Sequence, residues 1–322
     1  MEVMIAQTAT QGTGNLRDQL QEIFHPATGT SSAAAFSVEI STKDDTAIIE
    51  RLRGLSPQPI FCSLPWVSDE NLRYEDDFSR TPSLRLAGQL QQARYTVVSH
   101  LSCYNLTERQ VQKILATGLV RNLFIVRGDT VNPTQRFTHS FDLVAYLRRD
   151  PVEDSPDRST TASSVRLTIG VGGYPQGHHQ SRSADDELRH LAEKVALGAD
   201  FLLTQTLYDA ASFFHYRDRC RAAGISIPLV PGIYLPHSYR QLQTMLGFTR
   251  VTLPPAVRDT FEAHAGDKPE EFEAFVVEYF SGVVSELLAP NEIAGDPVKL
   301  VHFFTFNNLR LLQQVLDRVK FE

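Results

Sequence analysis

Cysteine is scarce in this sequence. Cys62, Cys103 and Cys220 are far apart and odd in number, with no CxxC pair, which excludes a disulfide framework. Long apolar runs are missing as well. None approaches the roughly 20 residues that a membrane-spanning helix needs. The opening stretch MEVMIAQTATQGTG has no basic segment leading into an apolar one, so it does not read as a secretory signal. A reducing, cytoplasmic setting is the expectation. Positive charge is also in short supply, with 31 Lys and Arg against 38 Asp and Glu, a net charge of -7. Nucleic-acid and anionic-membrane binders need a basic surface, so neither partner is expected, although a local basic pocket is still allowed.

What is present is regular. The chain has 322 residues, 42% of them hydrophobic, enough for a large core. Residues 1–35 are small and polar around one short helical stretch, Asn15–Phe24, and read as a partly flexible N-terminal extension. From residue 36 to 322, short β-rich runs alternate with amphipathic helical segments. The runs are FSVEI (36–40), PIFCSLP (59–65), TVVSHLSC (96–103), NLFIVRG (122–128), RLTIGVGGY (166–174), FLLTQT (201–206), PLVPGIYL (228–235) and VKLVHFFTF (298–306). Near-continuous apolar runs are what parallel strands covered by helices require. Several helical segments open on Asp, Ser or Thr and close at Gly, as caps demand.

Eight such repeats predict one α/β domain, a (β/α)8 TIM barrel, over 36–322. The alternative is an open doubly wound sheet, but no GxGxxG follows the first strand. The polar 151–164 stretch reads as a loop. Residues 254–291 read as extra helix before the last strand, packed outside the barrel.

Barrel active sites form at strand C-terminal ends, and polar residues interrupt the runs there. Glu39 ends the first run and Trp66 follows the second. His100 lies on the third, and Arg127, Gly128 and Asp129 close the fourth. Tyr174 and His178 follow the fifth, Thr204 and Gln205 lie on the sixth, and Thr305 and Asn307 close the eighth. Each alone has a plain structural reading: Glu39 as an ion-pair partner, His100 as a core histidine, Trp66 and Tyr174 as packing. The adjacent His178 and His179 lack the companion ligands of a metal site, and no metal is expected. His190 and Lys194 are one helical step apart and share a helix face that could meet a phosphate, or simply solvent.

The ordered set FSVEI, SLPW, SHLSC, VRGD, GGYPQGH, EKVALGADFLLTQ, LVPGIYLP and HFFTFN resembles the catalytic barrel of methylenetetrahydrofolate reductases, from about Phe36 to the C-terminus. The resemblance implies FAD as cofactor, and NAD(P)H and a reduced folate as partners. The implied reaction is 5,10-methylenetetrahydrofolate to 5-methyltetrahydrofolate by ping-pong hydride transfer. It implies a homo-oligomer or pairing with another subunit, and the short, barrel-only type without a regulatory domain. By position, Glu39 matches the general acid, Asp129 the carboxylate near flavin and pterin, and Gln205 the amide that binds pterin and nicotinamide. Trp66, His100, Arg127, Gly128, Asp129, His139, Ser140, Tyr174, His178 and Lys194 match flavin-contacting positions. Gln241 and Asn308 match the folate side.

Three departures stand out. After Glu39 the chain reads Ile40, Ser41, Thr42 and Lys43, where the family has two aromatics and two prolines. Asn308 replaces an Arg, removing a charge and a bidentate donor. Glu193 places an acid where the flavin pyrophosphate is expected. They keep open a paralogue with altered substrate or electron donor, and a non-catalytic flavin- or folate-binding partner subunit.

Overall fold

The computed structural model describes residues 15–26, 33–42, 47–128, 130–149, 166–178, 181, 183–290 and 297–321. Eight strands form a closed, all-parallel barrel in chain order: β1 (Ala35–Glu39), β2 (Cys62–Leu64), β3 (Val97–Ser102), β4 (Asn122–Val126), β5 (Thr168–Gly173), β6 (Phe201–Leu207), β7 (Leu229–Tyr234) and β8 (Leu300–Phe304). Strand β8 pairs back onto β1, with Glu39 opposite Phe304. Helices follow the strands: α1 (Leu16–Phe24) before β1, then α2 (Ile48–Arg53), α3 (Ser68–Asn71), α4 (Pro82–Gln92), α5 (Glu108–Ala116), α6 (Ser140–Arg148), α7 (Ala184–Ala196) and α8 (Ala210–Ala222). The last are α9 (Tyr239–Thr249), α10 (Pro255–Ala263), α11 (Pro269–Leu288) and α12 (Leu309–Leu316). The architecture is the expected TIM barrel.

The period-2 alternation of side chains sorts each strand into two faces. On β1, Phe36 and Val38 join the core between sheet and helices, while Ser37 and Glu39 turn to the barrel interior. The interior is apolar at its base, where Phe61, Val98, Phe124, Phe201, Leu203, Val230 and Leu300 meet Leu16 and Leu20 of α1. Helix α1 is therefore packed into the barrel's closed end. Its cap Asn15 accepts from Thr168 Oγ1 at 2.7 Å, and Arg17 pairs with Asp200 just before β6. Asp200 also takes Arg148 at 2.7 Å.

The segment before the last strand has a different layout from the one expected. Helix α11 packs against both α8 and α12, its Tyr279 hydroxyl donating to Tyr208 O at 2.9 Å. It buries Phe272, Val276, Val277, Phe280, Val283, Val284 and Leu287. That is the place of the seventh helix of the ring, so α9 and α10 are the additions. Helix α9 buries only Leu242, too little apolar surface to close the ring.

Candidate active site

The interior turns polar above its base. His302 of β8 is fully buried and bonds Ser37 Oγ (2.8 Å) and Ser63 Oγ (3.3 Å), tying together β8, β1 and β2. Its ring stacks on Phe61. Burial, helped by nearby His100, lowers its pKa to about 3, so it is neutral. Sequence reading had not singled out Ser37, Ser63 or His302. The signal was available, since Ser37 and His302 lie two residues before the inward-facing Glu39 and Phe304.

One layer higher, Glu39 and His100 meet. Glu39 Oε2 is 3.8 Å from His100 Nε2, with side chains 15% and 10% exposed. Desolvation raises the Glu39 pKa to about 7 and lowers that of His100 to about 3. Both groups thus favour their neutral forms. His100 Nε2 and Trp66 Nε1 are buried without a hydrogen-bond partner among the described residues. Trp66 leans on Phe78, which fixes its ring beside the second strand.

A second cluster forms beyond β4 and β5. Lys194 of α7 has its pKa lowered to about 8 by burial, with the Arg127 charge pushing the same way and Glu187 opposing. Glu187, also missed by sequence reading, accepts from His178 N at 2.9 Å and so ties the loop after β5 to α7. His178 meets the Tyr174 ring edge-on at 4.6 Å. Gly128 has φ +91°, and a Cβ there would come within 2.7 Å of Ser102 Oγ, so the turn ending β4 needs glycine. Glu193 is turned to Arg189 at 2.9 Å, a use for its charge on the helix's exposed side. His190 also contacts Arg189, so the shared face expected of His190 and Lys194 is divided between two environments.

Gln205 sits where the β6–β7 register shifts, between Leu203 and Thr206. Such an irregularity re-aims a side chain. Gly232 permits it: a Cβ there would lie 2.5 Å from Thr204 O. Gln205 Oε1 accepts from Thr206 N at 3.1 Å.

The remaining candidates are held locally. His139 precedes α6 and stacks on Phe141, and Ser140 opens that helix. Gln241 Oε1 accepts from His237 N at 2.8 Å. Asn308 caps α12, its Oδ1 accepting from Leu311 N at 3.3 Å. Asp129 and His179 lie outside the described residues. Among the described residues no His, Cys, Asp and Glu cluster could hold a metal ion, and no helix is long and apolar enough to cross a membrane.

Comparison with known proteins agrees with the geometry. The family model "Methylenetetrahydrofolate reductase" matches residues 30–320. Methylenetetrahydrofolate reductase 1 of Schizosaccharomyces pombe is 30% identical over 230 residues, 68% of this chain and 35% of that protein. The 5,10-methylenetetrahydrofolate reductase of Pectobacterium carotovorum is 27% identical over 267 residues, 82% of this chain and 80% of that one. The chain thus spans about a third of the yeast relative and most of the bacterial one. Among solved structures, a Clostridium thermocellum protein described as binding two copies of 5-methyl-5,6,7,8-tetrahydrofolic acid superposes with a TM-score of 0.59. It covers 92% of this chain and 96% of its own at 12% identity, a likeness of fold alone. With the family model matching nearly its whole length, the chain belongs to the methylenetetrahydrofolate reductase family.

Proposed function

We propose that the protein reduces 5,10-methylenetetrahydrofolate to 5-methyltetrahydrofolate with electrons from NAD(P)H. The observation that carries this reading is Glu39: a buried carboxyl on the barrel's inner face, titrating at about 7. A general acid working near neutral pH needs such a value. Glu39 gives its proton to a ring nitrogen of the folate's methylene bridge, which opens to an iminium ready to accept hydride. Gln205, on its irregular strand, offers an amide to the pterin and then to the nicotinamide. Asp129 supplies the negative charge that stabilises the cation.

The residues present fit FAD. Two buried ring nitrogens, His100 Nε2 and Trp66 Nε1, have no partner among the described residues, and a half-buried ammonium, Lys194, lies in the field of Arg127. A ligand carrying both heteroaromatic polar atoms and phosphates answers both features. His139, Ser140, Tyr174, His178 and the side-chain-free turn at Gly128 complete the cradle in this reading. Bound FAD supplies two-electron chemistry linking nicotinamide to folate.

A second reading, a paralogue with an altered substrate or donor, is favoured by Asn308. That side chain caps α12 where the family carries a charged guanidinium. Spectroscopy separates the two. The purified protein is expected to be yellow, to bleach anaerobically with NADH or NADPH, and to regain colour with methylenetetrahydrofolate. Protein that is colourless and binds no added FAD overturns both readings. Bleaching without recolouring selects the second. The proposed setting is cytoplasmic, with the chain acting as a homo-oligomer or paired with another subunit.

A further inference from the structure

We infer that Asn307, supported by Thr305, is a positioning residue for Glu39: it clamps the strand end that carries the acid. This rests on the reading of Glu39 as proton donor.

The need for a clamp is visible in the sequence. Glu39 is the last residue of β1, and the Ile40-Ser41-Thr42 that follows contains no proline or glycine to set its course. On the β2 side the backbone stays paired, Ile40 N donating to Ser63 O at 2.9 Å. On the β8 side the strand ladder stops at Glu39 opposite Phe304. Beyond that point β8 turns away, with Phe306 at φ +44° and Asn307 at φ +65°. Side chains then take over from the lost ladder. Thr305 Oγ1 donates to Glu39 O at 2.8 Å. The Asn307 amide accepts from Ser41 N at 2.9 Å and donates to Ser41 O at 3.2 Å. One amide therefore satisfies both backbone groups of Ser41, as an extra rung of sheet would.

The clamp is itself rigid. Asn307 N donates to Thr305 Oγ1 at 3.1 Å, locking the two residues to each other. Asn tolerates a left-handed backbone far better than most residues, and its short side chain reaches Ser41 from there. Phe306 beside it has no such tolerance, and a bulky residue held at positive φ is a cost the surrounding contacts must offset. Glu39 is thus bracketed by a held carbonyl on its own residue and a doubly held residue two places on. Its carboxyl is left with little freedom except rotation about its own side-chain bonds. An acid that must meet one ring nitrogen of a bound substrate depends on such placement, because small displacements of a reacting group are costly.

The test uses flavin-loaded protein and times the two half-reactions separately: reduction by NAD(P)H and reoxidation by methylenetetrahydrofolate. Asn307→Gly removes both side-chain bonds and keeps a residue suited to positive φ. Its folate-driven step is expected to slow by about 10- to 100-fold, with the nicotinamide-driven step within about twofold. Asn307→Asp keeps the acceptor for Ser41 N and should recover part of the loss. Thr305→Val, a milder change for use if Asn307→Gly does not fold, should show the same selective loss. Equal slowing of both steps overturns the inference. So does an unchanged folate step in Asn307→Gly when Glu39→Gln abolishes it. If Glu39→Gln itself spares the folate step, the acid assignment has failed and the clamp's role falls with it.

Discussion

Glu39 Oε2 and His100 Nε2 lie 3.8 Å apart without forming a salt bridge, because the imidazole is neutral and the carboxyl holds its proton up to about pH 7. Desolvation acts on both, raising the acid to about 7 and lowering the imidazole to about 3. Moving the proton from Glu39 to His100 would create two charges in a site with almost no solvent to receive them. The proton therefore stays on the carboxyl, where an incoming substrate can take it. A cationic side chain in place of His100 would hold Glu39 as carboxylate and leave it unable to donate.

The first prediction is a pH profile. The folate-driven half-reaction should fall as pH rises through about 7, while flavin reduction by nicotinamide does not follow that titration. Glu39→Gln should abolish the first and spare the second. Anaerobic stopped-flow at a series of pH values reads both, and a folate step that runs unchanged in the variant removes Glu39 from the chemistry.

A second prediction concerns stability. The folded protein keeps the Glu39 proton up to about pH 7, whereas the unfolded chain releases it near 4.5. Proton uptake is thus larger in the folded state, and stability drops as pH rises across that window. A shift of this size corresponds to about 3 kcal/mol. Glu39→Gln should melt close to the parent at pH 4.5 and above it at pH 8. Identical melting curves at both pH values would show that the carboxyl is not desolvated.

His302 has the opposite sign. Its folded pKa, about 3, is below the ordinary 6.5, so its contribution is intact above 6.5 and is lost as pH falls toward 3. His302→Phe leaves the Ser37 and Ser63 hydroxyls without that partner, a cost of about 1–3 kcal/mol for a buried group at neutral pH. Below pH 6 the gap to the parent should narrow, since the variant has no imidazole to protonate there. Denaturant titrations at neutral and acid pH measure this, and a gap that widens in acid contradicts it.

The base of the barrel offers a fourth prediction. Leu20 of α1 is 3% exposed among the apolar residues that fill the interior. Leu20→Ala should cost about 2–5 kcal/mol, as buried leucines do. The pH dependence of the folate step should be unaffected, because the change lies at the end of the barrel away from Glu39. A variant as stable as the parent would mean that α1 only rests on the base.

Much of this structure could be read from the residues in order, for physical reasons. The eight strands are short, mostly apolar runs, and that signature survives without knowledge of their partners. Glu39 and His100 stood out as polar groups on apolar runs. His302 carries the same signature, but it lies mid-run with apolar neighbours, and only pairing with Ser37 and Ser63 reveals its place. The extension before β1 contributes few apolar residues, and closing a barrel end needs only two leucines. Helices α9, α10 and α11 are all amphipathic enough to compete for one position in the ring. Which one wins is decided by contact with α8 and α12, and local sequence does not encode that. The departure after Glu39 is the clearest case: the missing stiff corner is legible, whereas the Asn307 clamp comes from residues 266 positions away.

Helix α1 also sets a direction for the molecule. Its cap sits against Thr168 at the start of β5, on the face opposite the strand ends that carry Glu39, His100 and Gln205. Substitutions in α1 therefore probe the closed end of the barrel from the side its mouth does not share, so a change there that altered ligand handling would have to act through the whole length of the strands.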